Sequence, residues 1–307
     1  MSTSTRSATV YVLLAALLWS LGGIGVKVAT GDAMALAGYR SAFALPILVI
    51  AATHEARRRQ VSVTAMLRRP LVWAAALSYA LMVVTFVVSA RLTTAANAIL
   101  LQYSGPIYVA LLSWPLLAER IRVSDWLATI GCFLGMILFF FGKISPEGMR
   151  GNLFAILSSF GFAGVPLMMR LEQRRQPVGW RAEAASPFVA MTLGNVIAVV
   201  VCLPWMLSDP MQDRASWASV AGMGVVQIGA AYWLYGAAVG QMPALRSTLL
   251  ATIEPVLNPL WVAIFKGEQP TRWAVAGGAV ILVAVTGQAL AARTRSRQDP
   301  RAESGGG

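Results

Sequence analysis

Glu254 stands in the run Glu254-Pro255-Val256-Leu257-Asn258-Pro259, inside a long apolar stretch. It is the one acidic residue set mid-stretch in this chain. A carboxylate at the centre of a membrane helix costs about 2.5–3.5 kcal/mol, so such a residue faces the bundle interior and is a functional candidate by default. A carboxyl there could exchange protons or receive a substrate amine. The plainer alternative is a protonated residue hydrogen-bonded to a neighbouring helix. Pro255 follows it, and Pro106 occupies a matching place earlier in the chain. Each proline removes one backbone hydrogen bond. In lipid the freed carbonyl needs another partner, which only protein or a wet cavity supplies. Both prolines are candidate hinges facing a pathway; otherwise they are packing kinks.

Other polar groups fall at membrane depth. Arg40 lies about 10 Å into its stretch, counting seven residues at 1.5 Å each. It could bind a carboxylate, lock one side by pairing, or snorkel to the interface. Arg246 is nearer an end, where snorkelling is expected. Trp19, Tyr79, Phe86, Tyr103, Phe162, Tyr232, Trp233, Tyr235 and Trp261 sit within apolar stretches, although Trp and Tyr ordinarily favour the membrane interfaces. Asn97, Gln102, Gln227 and Asn258 add amides. Aromatic walls with a few amides suit an amphipathic small molecule, but any single member of the set could simply be packing. Glycine pairs at spacing four, such as Gly131 with Gly135, read as close helix contacts.

These residues need elements to hold them. The 307 residues are 57% hydrophobic and 12% charged, against about 25% charged in a soluble domain. Ten apolar stretches cover roughly residues 10–29, 33–53, 71–90, 95–117, 125–142, 151–169, 184–206, 216–238, 244–265 and 272–292. A bilayer core needs about 20 such residues of helix. Backbone polar groups in lipid must bond within their own segment, so the stretches are helices. The expected fold is all-α integral membrane. The first stretch follows a short basic N-terminus but is too long for a signal peptide, and is expected to be retained.

The net charge of +12 is read as a positive-inside bias and not as a nucleic-acid footprint. With the N-terminus inside, sixteen of the 25 Lys and Arg residues fall on inner segments and six on outer ones. That places both termini in the cytoplasm. Cys132 and Cys202 lie in apolar stretches and suggest no disulfide framework, and a single histidine argues against a metal site. HExxH, Walker and CxxC patterns are absent from the sequence, so no cofactor is expected and an enzyme is disfavoured.

The chain repeats itself. At a shift of 149 residues, Ala95–Glu119 lies over Ala244–Glu268, with Pro106 on Pro255 and Glu119 on Glu268. At a shift of 139, Ala16, Leu18, Ser20, Gly22, Gly25 and Val26 meet Ala155, Leu157, Ser159, Gly161, Gly164 and Val165. The order is kept, so the chain divides into a five-helix unit over 1–150, a second over 151–292, and a disordered cytoplasmic tail over 293–307. Five is odd, so the second unit must be inverted. Inverted repeats place a binding site near the midplane between them.

Gly105-Pro106 with Glu119-Arg120, Glu254-Pro255 with Gly267-Glu268, and the openings Trp19-Ser20-Leu21-Gly22 and Ser158-Ser159-Phe160-Gly161 together resemble the drug/metabolite transporter superfamily, and within it the EamA-type ten-helix transporters. The chain is similar to the bacterial aromatic amino acid exporters of that superfamily. The resemblance implies a cavity between the halves bordered by Trp19, Tyr79, Tyr103, Phe162, Trp233, Glu254 and Asn258. Pro106 and Pro255 are then hinges, and Arg40 a gate or charge partner. It implies a monomeric multi-pass carrier of the bacterial inner membrane, exporting aromatic and other neutral amino acids by alternating access, with protons as a candidate coupling ion. The alternatives are an exporter of cationic drugs or another metabolite and, in another class, a membrane-embedded enzyme or non-transporting subunit.

Overall fold

The computed structural model describes residues 3–21, 29–141, 148–175, 186–209, 211, 213–239, 241–257 and 271–298. Among these the regular structure is helical, with no strand. The elements are α1 (Thr3–Ser20), α2 (Ala33–Arg59), α3 (Val63–Leu67), α4 (Pro70–Leu92), α5 (Ala95–Gln102), α6 (Gly105–Leu117), α7 (Val123–Phe139), α8 (Met149–Arg175) and α9 (Pro187–Ser208). Then come α10 (Arg214–Gly222), a π-helical stretch (Met223–Ala230), α11 (Ala231–Val239), α12 (Ala244–Ala251), one helical turn at 254–257, and α13 (Arg272–Gln298).

Among the described residues, six helical segments are long and apolar enough to cross a bilayer, and α1 and α7 carry shorter apolar runs. Their outward faces are oily. Val283 is 72% exposed, and Leu127, Leu134, Val200 and Leu207 are exposed as well. A soluble monomer does not present apolar surface on this scale; a lipid environment covers it. The chain is a membrane protein.

Local sequence explains where the helices begin. The Asp32 side chain accepts from the backbone amides of Met34 and Ala35 and opens α2. Thr94 caps α5 by accepting from Asn97. Asp213 caps α10 by accepting from Ser216. Each satisfies donors that a helix start leaves unmade.

Close pairs run through glycines. A Cβ on Gly161 of α8 would lie 2.5 Å from the Ser78 carbonyl oxygen of α4. One on Gly277 of α13 would lie 2.3 Å from the Phe139 amide of α7. Backbones that close leave no room for a side chain, and dispersion across such contacts holds helices together in lipid.

Polar ties gather the two ends. At the arginine-rich end, Arg69 donates to Glu172 at 2.7 Å, and Arg170 and Arg174 both reach Glu119, at 2.8 and 3.2 Å. Glu119, one of the repeat-defining residues, thereby fixes the end of α8. At the opposite end Thr30 donates to Asp213 and to Ser216, the Asp32 amide donates to Asp209, and Arg91 donates to the Ala29 carbonyl.

Two expectations change on folding. Residues 95–117 are not one kinked helix: α5 and α6 are separated by Tyr103 and Ser104. The corresponding break after α12 falls at Thr252 and Ile253. The two breaks lie 149 positions apart, the shift of the sequence repeat. Pro106 and Pro255 therefore sit in the first turn after a break, where the missing N–H is unneeded, and not in mid-helix. Arg246 does not snorkel. It is buried, and its guanidinium reaches the Thr9 hydroxyl at 3.5 Å.

Candidate functional site

The two broken helices meet at Tyr103. Its hydroxyl oxygen lies 2.5 Å from Glu254 Oε2 and 3.2 Å from the Ala251 carbonyl oxygen. Ala251 is the last residue of α12, so its carbonyl is one of those that a helix end leaves without an intrahelical donor. A side chain from the first half of the chain thus serves a carbonyl that the helix break leaves unmade in the second.

Around this contact is a cavity of about 50 Å³, lined by Trp19, Arg40, Met82, Val83, Phe86, Gln102, Tyr103, Phe162, Gln227, Ile228, Tyr232 and Glu254. α1 supplies Trp19 at its far end, α2 supplies Arg40, and α4 supplies Met82 and Phe86 one turn apart. The π-helical stretch supplies Gln227 and Ile228. Insertions of this kind re-aim side chains and recur at functional sites. Gln227 Nε2 donates to the Trp19 carbonyl at 3.1 Å, which ties the stretch to the end of α1. Gln102 donates to the Ser158 hydroxyl at 2.9 Å, and Ser158 donates to the Met82 carbonyl at 3.0 Å.

The aromatic side chains interlock. Tyr232 packs on Trp19 at 4.9 Å between centroids and edge-on to Tyr79 at 4.8 Å. Tyr103 meets Phe162 edge-on at 5.5 Å. Edge-to-face geometry fixes ring orientation as well as adding area. Such walls hold a flat apolar group without conformational searching.

Charge is held inside this shell. Arg40 is 4% exposed, and its Nε and Nη1 have no hydrogen-bond partner among the described residues. A buried donor left unmade costs about 1–3 kcal/mol, more when charged. Glu254 shares the same cavity, and no ion pair joins the two. An acceptor of protons or amines and a donor to anions therefore border one space.

Of the residues expected from sequence, Trp19, Tyr103, Phe162 and Glu254 come together here, joined by Arg40. Tyr79 is fully buried one layer behind, against Tyr232. Trp233 is a correction: it is 49% exposed on the outer surface and does not border the cavity. Neighbouring positions on a helix differ by about 100°, so its place is taken by Tyr232, with Tyr235 packed against Trp19. Asn258 lies outside the described residues, as do Trp261 and Glu268. Sequence reasoning noted Phe86, Gln102, Gln227 and Tyr232 as polar or aromatic groups at depth without assigning them to the site. Met82, Val83 and Ile228 gave no signal, since aliphatic residues fill every span.

Comparison with known proteins agrees with this architecture. The EamA-like transporter family matches the chain twice, over residues 6–141 and 149–288. An uncharacterized transporter of Archaeoglobus fulgidus is 30% identical over 208 residues, covering 67% of this chain and 71% of the relative. The uncharacterized transporter YwfM of Bacillus subtilis is 28% identical over 273 residues, covering 86% and 88%. Neither name states a substrate or a direction, so the aromatic amino acid exporter subtype has no support among them. One solved crystal structure shares the fold with a TM-score of 0.76 and 20% identity, over 94% of this chain and 99% of that one. The double family match and the transporter relatives identify a transporter and not an enzyme: the chain belongs to the EamA-like transporter family.

Proposed function

We propose that this chain exports amino acids, aromatic and other neutral ones, across the bacterial inner membrane by alternating access. The observation that carries this reading is the shared cavity: aromatic walls, amides, Glu254 and Arg40 surround one space between the halves of the chain. Its volume of about 50 Å³ accommodates a few waters. Ligand sites for drug-sized molecules need roughly 300–1,000 Å³. The halves must therefore part to admit an amino acid and close behind it.

In this reading ten helices span the membrane as two inverted five-helix repeats with both termini in the cytoplasm, and the carrier is a monomer. The breaks before Pro106 and Pro255 act as hinges. Glu254 takes the substrate amine or a coupling proton. A second reading is an exporter of cationic drugs, favoured by the acid within an aromatic cage; the guanidinium in the same cavity weighs against it.

The test is uptake of radiolabelled amino acids into liposomes that contain this protein alone, with and without a pH gradient. Saturable uptake is expected. No uptake of any amino acid by correctly folded protein overturns the reading. With Glu254→Gln, flux should lose its dependence on pH between about pH 5 and pH 8; a wild-type profile retained in the variant makes Glu254 structural.

A further inference from the structure

Arg40 differs from the other described arginines that sit beside acids. Arg69 pairs with Glu172, and Arg170 and Arg174 pair with Glu119. Arg40 is enclosed, borders the cavity, and leaves Nε and Nη1 unmade. A guanidinium cannot shed its proton to escape this. It presents a planar fork that matches a carboxylate in two parallel hydrogen bonds. Packing holds it in place: the π-helical stretch presses on its turn of α2 so closely that a Cβ on Gly224 would lie 2.6 Å from the Arg40 carbonyl oxygen. Glu254, the other charged group of the cavity, is already held by Tyr103 and makes no ion pair with Arg40.

We propose that Arg40 is the receptor for a carboxylate on the transported molecule, so that the cavity selects zwitterions over amines that lack an acid group. This deepens the amino acid reading above and rests on it. The carboxylate docks on the Arg40 guanidinium, the ammonium turns toward Glu254, and the side chain lies among Trp19, Tyr232 and Phe162. A cation without a carboxylate would leave the guanidinium unpartnered and add a second positive charge beside it. An acid without an amine would face the Glu254 carboxyl with nothing to offer. The two charged groups therefore act together as a filter for both ends of the same molecule.

The experiment uses the purified full chain in proteoliposomes and three probes: phenylalanine, phenethylamine, which lacks the carboxylate, and phenylpropanoate, which lacks the amine. Binding of tritiated phenylalanine and its displacement by each analogue are measured, together with exchange of each across the membrane. Wild type should prefer phenylalanine over either analogue by at least about tenfold, the value of one charge-assisted hydrogen bond. Arg40→Gln should weaken phenylalanine by a similar factor while leaving phenethylamine unchanged or improved. Arg40→Lys, which keeps the charge and loses the fork, should fall between. Wild type that takes phenethylamine as readily as phenylalanine overturns the proposal without recourse to any variant, which covers an Arg40→Gln protein that fails to fold. Folded Arg40→Gln with undiminished phenylalanine binding overturns it while the transport reading stands. Folded wild type that binds none of the three probes overturns the proposal, and the transport reading falls with it only if no other amino acid is taken up.

Discussion

Tyr103 and Glu254 stand 2.5 Å apart, hydroxyl to carboxyl, on two helix breaks that come from opposite halves of the chain. Tyr103 has one hydrogen to give and two acceptors in reach, since the Ala251 carbonyl is 3.2 Å away. With Glu254 ionised the hydrogen goes to the carboxylate, and the Ala251 carbonyl at the end of α12 loses its partner. With Glu254 protonated the carboxyl donates to Tyr103, and Tyr103 donates to Ala251. The charge state of one residue is thereby coupled to the backbone of the broken helix.

Tyr103→Phe tests that coupling. It removes the hydroxyl and keeps the ring against Phe162. The Ala251 carbonyl and Glu254 both lose a partner, at about 1–3 kcal/mol for a buried group left unmade. A lower melting temperature in detergent and slower exchange are expected. An unchanged melting temperature means the contact contributes nothing to the closed arrangement.

Gly224→Ala tests the seating of Arg40. The new Cβ would lie 2.4 Å from Phe43 Cβ and 2.6 Å from the Arg40 carbonyl oxygen. α2 must shift, and overpacking of this kind costs about 1–3 kcal/mol. Thermal melting should register the loss, and phenylalanine binding should weaken more than wild type destabilised to the same degree by mild heating. Equal binding in the two samples would show that the Arg40 position is not set by this contact.

Ala118→Gly should stabilise the protein. Ala118 ends α6 at φ 49°, in the left-handed region, which costs an L-residue roughly 1–2 kcal/mol. The repeat-equivalent sequence position is Gly267, which lies outside the described residues. A gain of about 0.5–1 kcal/mol remains after the extra freedom glycine has when unfolded. It would appear as a raised melting temperature with exchange unaltered. A fall instead would mean that the Ala118 methyl has packing value that outweighs its backbone strain.

Asp213 supplies a pH control. Hydrogen bonds from the Ser216 side chain and backbone, and from Thr30, hold its carboxyl below the ordinary value of 3.8. A lowered carboxyl gives stability that is present above the unfolded value and lost as pH falls through the folded one. The tie between Thr30 and α10 should therefore be insensitive to pH from neutrality down to about pH 4 and loosen only in stronger acid. Asp213→Asn should leave any pH dependence of transport between about pH 5 and pH 8 as in wild type. A profile that shifts in this variant would relocate the titrating group from the cavity to the end of the bundle.

Sequence alone determined the class of this molecule. Lipid permits a backbone no partner but its own helix, so apolar length and the distribution of arginines declared a membrane bundle. The shared spacing around Pro106 and Pro255 declared a repeat. Glu254 was legible for the same reason, since an acid in an oily run has few excuses. The cavity was not. Whether Trp233 or Tyr232 turns inward depends on helix rotation, which in lipid leaves little trace in the hydrophobic pattern because both faces are apolar. That Tyr103 serves the Ala251 carbonyl at the end of α12 depends on two helices 149 positions apart in sequence meeting at their breaks. That Arg40 lies beside the cavity and not at the interface depends on the π-helical stretch packed against it. These are matters of which surfaces touch, and only the tertiary structure decides them.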